Sequence, residues 1–437
     1  MKAPKILYLL SLAVALAVAV AATRAIEGQN SGPVLDILST SSTPPTEAPT
    51  GFDDQTNGLV DSGTHAFDEG KFDEVEQVSD GLGPLYNAQA CRESHQNPVS
   101  GGISQVTELR VGHHDRFGHF VNPSIPIADG SVTIRGRSLV NDRAICPSGA
   151  FPDTQLQERV PDGETIGTFR TSLNTLGDGF VEAVPSITLL KIAAEQCLRT
   201  GGAICGQALV VPVLEAPGHY RVGRFGWKNQ HASLVSFSGD AYINEMGITN
   251  KLFPKEITSL CDTVPDPEDK TDPDGLTDIE HFTRFMRATK APPHDETLAN
   301  TLDARAGSEL FDRIGCVTCH VRSLVTAPAG SVINGGTFSV PPALGNKTIH
   351  PFSDFLLHDV GTGDGIVQNG DQATARKMRT APLWGVHTRS RLMHDGASLT
   401  FTDAILRHSG EASHVIDNFR SLSETERQQI VTFLKSL

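Results

Sequence analysis

The chain has 437 residues and a formal charge of −15, with 38% hydrophobic and 20% charged residues, the make-up of a globular protein. That length holds two or three domains with ample core. The acidic balance excludes nucleic acid and an anionic membrane surface as natural partners and favours a basic protein or a small molecule.

Met1-Lys-Ala-Pro-Lys5 precedes an apolar run from Ile6 to Ala22, and small residues stand at Ala19, Ala21, Ala22 and Ala25. This is the pattern of a secretory signal over residues 1–25. A retained anchor is the competing reading, because the run approaches the shortest length that spans a bilayer, and only then is a membrane a partner. Cleavage leaves 33 basic against 51 acidic residues, a net charge of −18. Either way the remainder is expected outside the cytoplasm, in the periplasm or an equivalent space that permits disulfides.

Residues 26–66, including "STSSTPPTEAPTG", are rich in Ser, Thr and Pro and read as a linker or a wrapped arm. Short apolar segments and glycine-rich turns begin near Phe67. "CRESH", residues 91 to 95, places Cys91, Ser94 and His95 in the outline of a Cys-x-x-Cys-His motif with one sulfur replaced. "VGHHDRFGHF" gathers His113, His114 and His119 in one glycine-punctuated loop. Glu182, in "GFVEAVP", is a lone carboxylate among apolar neighbours, where burial is expected to raise its pKa. "CLRTGGAIC" closes a short loop that suits a Cys197–Cys205 disulfide, and Cys146 with Cys261 follows by elimination. Asp272-x-Asp274-Gly275 resembles part of a calcium loop, but Lys270 and His281 occupy its first and last ligand positions, so a solvated loop is the better reading and calcium the minor one.

Helical periodicity gathers in the last third. "IEHFTRFMRA" puts Ile279, Phe282, Phe285 and Met286 on one face, and "AGSELFDRIGC" runs as a helix into Cys316. The closing segment opens with a capping box, Ser423-x-x-Glu426, and carries Ile430, Val431, Phe433, Leu434 and Leu437 as its buried stripe. A faint echo links residues 169–189 with 378–399, as two related halves would. The fold expected is mainly α with many loops. It comprises a first domain over residues 67–294 and a second over 295–437.

"CVTCH" supplies the strongest motif, Cys316-x-x-Cys319-His320. At this chain's Cys and His frequencies it arises by accident about 0.004 times. Two sulfurs three residues apart reach the two vinyl groups of a haem, and the adjacent imidazole ligates the iron. A thioredoxin-like dithiol or half a zinc site explains neither His320 nor the export signal. Cys-x-x-x-His alone is expected about 0.25 times by chance, so Cys91 and His95 need context.

That context is a set of ordered segments: "DGLGPLYNAQACRESHQNPVSGG", "GRFGWKNQ", "MGITNKLFP", "FTRFMRATKAPP", "LFDRIGCVTCHV", "RTAPLWGVHTRSRLMHDGASLT" and "AILRHSGEA". Together, from about residue 50 onward, they resemble the di-haem oxidoreductase family, peroxidases related to bacterial di-haem cytochrome c peroxidases. The resemblance implies two cytochrome c-like haem domains with a Cys-x-x-Cys-His in each half. This sequence departs from it at Ser94. A serine hydroxyl makes no thioether, so the second haem c is expected on Cys91 alone, with His95 on its iron.

The resemblance places a distal ligand of the second iron at His408, against Met378 and Met393 as competitors, and one for the first iron in the loop of His113. Glu182 is the candidate acid–base for cleaving peroxide. Trp227, in "GRFGWKNQ", is one of two tryptophans and a candidate relay between the haems. The resulting expectation is an exported oxidoreductase that accepts electrons from a small cytochrome or copper protein and reduces hydrogen peroxide or a related oxidant. The alternatives are a carrier with both irons six-coordinate, and a mono-haem protein whose first half binds a partner.

Overall fold

The computed structural model describes residues 36–437, so the expected signal or anchor at residues 1–25 lies outside the described residues. Among the described residues no helix is long and apolar enough to cross a membrane.

Twelve α-helical segments occur among the described residues, together with many short strands in several small sheets. The expectation of a mainly α chain therefore understates the strand content. Most strands are two or three residues long, too short to print an alternating pattern on the sequence. The largest sheet is built on Thr107–His114. It pairs antiparallel with Phe120–Val121, Leu139–Val140 and Ile166–Thr171, in a register running from Thr107 opposite Thr171 to Gly112 opposite Ile166.

The helices start where their caps demand. Asp61 accepts hydrogen bonds from Gly63 N and Thr64 N and begins Ser62–Asp73. Thr277 and Glu280 form a capping box for Asp278–Ala288, which buries Ile279, Phe282, Phe285 and Met286 as its periodicity requires. Ser423 and Glu426 do the same for Glu424–Lys435. That closing helix packs against Leu302–Ile314 at Gly307, where a side chain would run into the backbone of Gln429 and Ile430.

Residues 36–61 wrap the molecule. Ile37 bridges Val332, Thr46–Glu47 pairs in parallel with Lys347–Thr348, and Thr50 and Thr56 bridge Ala291 and Thr289. Asp36 anchors this arm on the buried Arg221 at 2.9 Å. Leu324, Ile333, Leu344 and Phe355 share one apolar core with Phe72, Phe180 and Phe285, so this core does not divide at residue 294. A second core gathers Leu310, Phe311, Phe419, Ile430 and Phe433 around the two packed helices. Cys146–Cys261 and Cys197–Cys205 are disulfides, leaving Cys91, Cys316 and Cys319 as the free thiols.

Candidate functional site

The helix Leu302–Ile314 stops at Gly315, whose φ of 105° suits glycine, and the chain turns at once through Cys316–Thr318. His320 N donates to Cys316 O at 3.0 Å, so the motif is one tight turn. Cys316, Cys319 and His320 line a cavity walled mostly by apolar side chains such as Phe311, Leu392, Ile405 and Leu434. His320 Nδ1 donates to Phe352 O at 3.0 Å, which fixes the ring and reserves Nε2. His408 lines the same cavity from the end of helix Phe401–Leu406, its Nδ1 donating to Ala404 O at 2.9 Å. Burial keeps both rings neutral, pushing His320 down to about 4 and lowering His408. Met378 and Met393 stand on the same wall.

Burial also raises both thiols, Cys316 to about 12. A redox dithiol needs a lowered thiol pKa, so this pair is not built for disulfide exchange.

The earlier motif is arranged alike. Cys91–Ser94 is a single helical turn, and His95 N donates to Arg92 O at 3.2 Å. Cys91, Ser94 and His95 line a smaller cavity with Phe72, Tyr242, Met246 and Met286. His95 Nδ1 faces Gly102 O at 3.3 Å, and burial pushes the ring down to about 4. Every methionine after Met1 thus lines one of these two cavities.

Ser94 and His95 also border a polar chamber that includes Glu108, Arg110, Arg170, Asp240 and Glu245. Arg110 grips Glu108 with Nε at 2.6 Å and Nη2 at 3.0 Å. Burial opposes the Glu108 charge, but Arg110 outweighs it and holds the carboxyl below its ordinary value. Glu245 is pushed up to about 7, first by burial and then by the charge of Glu108, to which it is hydrogen bonded. Near neutral pH the pair therefore shares one proton.

Trp227 stands between the two regions. It lines both the Cys316 cavity and the polar chamber, held by Nε1 donating to Thr171 O at 2.8 Å.

Two expectations are corrected. Glu182 lines none of these cavities. It is wholly buried and bound by Arg287 at 2.6 and 3.0 Å, Leu234 N at 2.8 Å and Asn334 Nδ2 at 2.9 Å. Burial alone would raise its pKa, but Arg287 and these donors leave it lowered. His113 lies in a strand, not a loop. The strand leaves the chamber after Arg110, and His113 Nδ1 donates to Glu164 at 2.8 Å with its side chain 36% exposed. The calcium-like loop is solvated as expected, with Lys270, Asp274 and Gly275 exposed, and its acids are engaged by cations of the chain. Lys71 pairs with Asp272 at 3.0 Å, and Arg284 pairs with Asp274 at 3.3 Å. His281 approaches both at 3.4 and 3.5 Å.

The residues missed were Glu108 and Glu245. Glu245 immediately precedes "MGITNKLFP" and lies in a π-helical turn, Tyr242–Met246, a feature frequent at functional sites. A carboxylate in the apolar run "AYINEMGI" was its available signal.

Residues 150–437, well over half of the chain, match a family model described as "Di-haem oxidoreductase, putative peroxidase". The chain belongs to the di-haem oxidoreductase family. Haem is its cofactor and di-haem redox chemistry its function class. The match contains Cys316, Cys319, His320 and His408, while Cys91 and His95 precede it. This di-haem oxidoreductase matches no curated protein. Among solved structures it is similar to hydrazine synthase of Kuenenia stuttgartiensis under xenon pressure, at 13% identity over 93% of this chain and 100% of that one, with a TM-score of 0.38. It is also similar to a MauG-like protein associated with microbial copper homeostasis, at 19% identity over 36% of this chain and a TM-score of 0.25. The likeness covers 52% of that protein's length. At these scores neither likeness carries the fold or the function further.

The donor sets suit haem. Paired half-buried thiols with a neutral, carbonyl-anchored histidine on an apolar cavity are what a thioether-bound haem requires. A lone thiol with such a histidine is compatible with single attachment.

Proposed function

We propose that this di-haem oxidoreductase is an exported c-type peroxidase. It takes electrons from a small cytochrome or copper protein and reduces hydrogen peroxide, or a related oxidant, beside His95. The observation that carries this reading is Trp227, a common wall of the Cys316–His320 cavity and of the chamber bordered by His95.

Cys316 and Cys319 would hold one haem c by two thioethers, with His320 on its iron and His408 the distal ligand. Cys91 would hold the second by one thioether, with His95 as ligand and Ser94 leaving one vinyl group unbonded. Each would form the centre of a cytochrome c-like domain. The bound groups supply redox-active iron. The chain's own residues handle the protons. Ionised Glu108, kept so by Arg110, accepts a proton from one peroxide oxygen, and protonated Glu245 delivers one to the other, which leaves as water; the first oxygen takes up two protons from solvent with the two electrons and leaves as a second water. The two electrons come from the external donor.

A second reading has support in Met246 and Met286, which line the Cys91 cavity and offer thioether ligands. With both irons six-coordinate the protein would only relay charge. Pyridine haemochrome against protein mass, for protein matured in a host competent in cytochrome assembly, tests the reading. Two haems per chain, one keeping a vinyl group and absorbing further to the red, are expected. One haem per chain refutes it and favours a first half used for binding. Failure of carbon monoxide and cyanide to bind in any redox state refutes the peroxidase and favours the carrier.

A further inference from the structure

Most deeply buried cations of this protein have an evident partner. Arg170 and Lys228 share Asp364 at 2.6 and 2.9 Å, Arg221 holds Asp36, and Arg287 holds Glu182. Arg224 lacks a carboxylate but spends its donors on the carbonyls of Val181, Glu182, Val184 and Val222 and on Ser186 Oγ.

Arg379 and Arg389 are different. Both line the Cys316–His320 cavity. Arg379 is 5% exposed, donates from Nη1 to Arg224 O at 2.7 Å, and leaves Nε without a partner. Arg389 donates from Nη2 to Ser172 O at 3.3 Å. No carboxylate lies within ion-pair distance of either among the described residues. Burial pushes each guanidinium down to about 10, and for Arg389 the charge of Arg379 adds to the effect. Asp178, whose charge reaches Arg379, is itself raised well above the carboxylate range by burial and is a poor counter-ion.

Arg389 does not line the polar chamber itself but adjoins its wall at Ser172, whose carbonyl it holds. It borders a narrow cleft with Leu173, and Leu173 lines the polar chamber beside His95.

We infer that Arg379 and Arg389 form a carboxylate-binding subsite for haem propionates at the junction of the two cavities, with Arg389 shared by both centres. A haem presents two carboxylates on one edge, and a guanidinium fork matches a carboxylate in charge and geometry. A buried Arg379 and a half-buried Arg389 without an anion are unfavourable, and this anion relieves both. The inference rests on the two-haem reading above.

The test uses haem-loaded protein and reads the potential of each centre by spectroelectrochemical titration, after the haem count is fixed by pyridine haemochrome. Removing a positive charge near iron favours the oxidised state. R389Q is therefore expected to lower both potentials, and R379Q only that of the Cys316–His320 centre. Should the glutamine variants not accumulate as folded protein, R389K and R379K replace them, with smaller shifts in the same directions. Two haems per chain with unmoved potentials in the variants overturn the subsite alone. A single haem in the wild type overturns the two-haem reading, and Arg389 sharing with it. Wild-type potentials that follow added acetate would assign the arginines to a soluble anion and also overturn the subsite.

Discussion

Glu182 and Glu245 show how little a carboxylate's local sequence says about its charge. Both stand among apolar neighbours, yet one is lowered by Arg287, 105 positions away, and the other is raised to about 7 by burial and Glu108. If Glu245 is the proton donor to peroxide, E245Q lowers kcat by about 100-fold, the lower end of general acid–base effects. Wild-type turnover should fall as pH rises through about 7, because the protonated form is the donor. Steady-state assays of peroxide-dependent donor oxidation across pH check both, and an unchanged profile in E245Q would remove Glu245 from the chemistry. Ser94 makes a second residue-scale prediction. It already lines the cavity with Cys91 and His95, so S94C restores a sulfur at the right place. The expected outcome is a second thioether and a blue shift of that haem's α band towards its twin. Absorbance and peptide mass spectrometry read the two together.

At the scale of elements, the last third of the chain is governed by local rules. The capping box at Ser423 and the buried stripes of both helices stand where the residues alone put them, while the box at Thr277 is added by the structure. The contact that brings Leu302–Ile314 onto Glu424–Lys435 is set by Gly307, whose hydrogen faces the carbonyl of Gln429. G307A places a methyl group against that backbone, and overpacking of this kind costs about 1–3 kcal/mol. Ile430 and Leu434 on the displaced helix also wall the Cys316 cavity. The variant should therefore melt earlier and incorporate less haem at Cys316. Calorimetry and haem content would show whether the helices stay in place, and an unchanged melting temperature would mean the close approach is slack. The strands near His113 obey no such local rule. Their pairing with residues 120–121 and 166–171 comes from chain closure, so a strand-bearing histidine reads as a loop residue until the partner strands are known.

The whole molecule responds to pH through its buried carboxyls. Glu76, Glu256 and Glu268 are raised to about 8, 9 and 7, in each case chiefly by burial. Each holds its proton in the folded state at pH values where the unfolded chain has lost it. Their contribution to stability is complete below the ordinary glutamate pKa near 4.3 and is lost as pH rises through 7 to 9. The protein should therefore withstand more denaturant near pH 6 than near pH 9. Urea melts at the two pH values decide this, and equal midpoints would mean that these groups ionise without cost.

What the residues settled unaided is whatever depends on neighbours in the chain. Cys316, Cys319 and His320 declare a haem site because the chemistry needs that spacing within one turn, and the closing helices follow from caps and periodicity. Resemblance added His408 and the family. Tertiary structure alone decided which charged groups face which cavity. Glu108 and Glu245 come from segments more than 130 positions apart, Trp227 and Thr171 are 56 apart, and Arg389 and Ser172 are 217 apart. Their ionisation and accessibility come from burial beside those distant partners, and no short stretch of sequence encodes that energy.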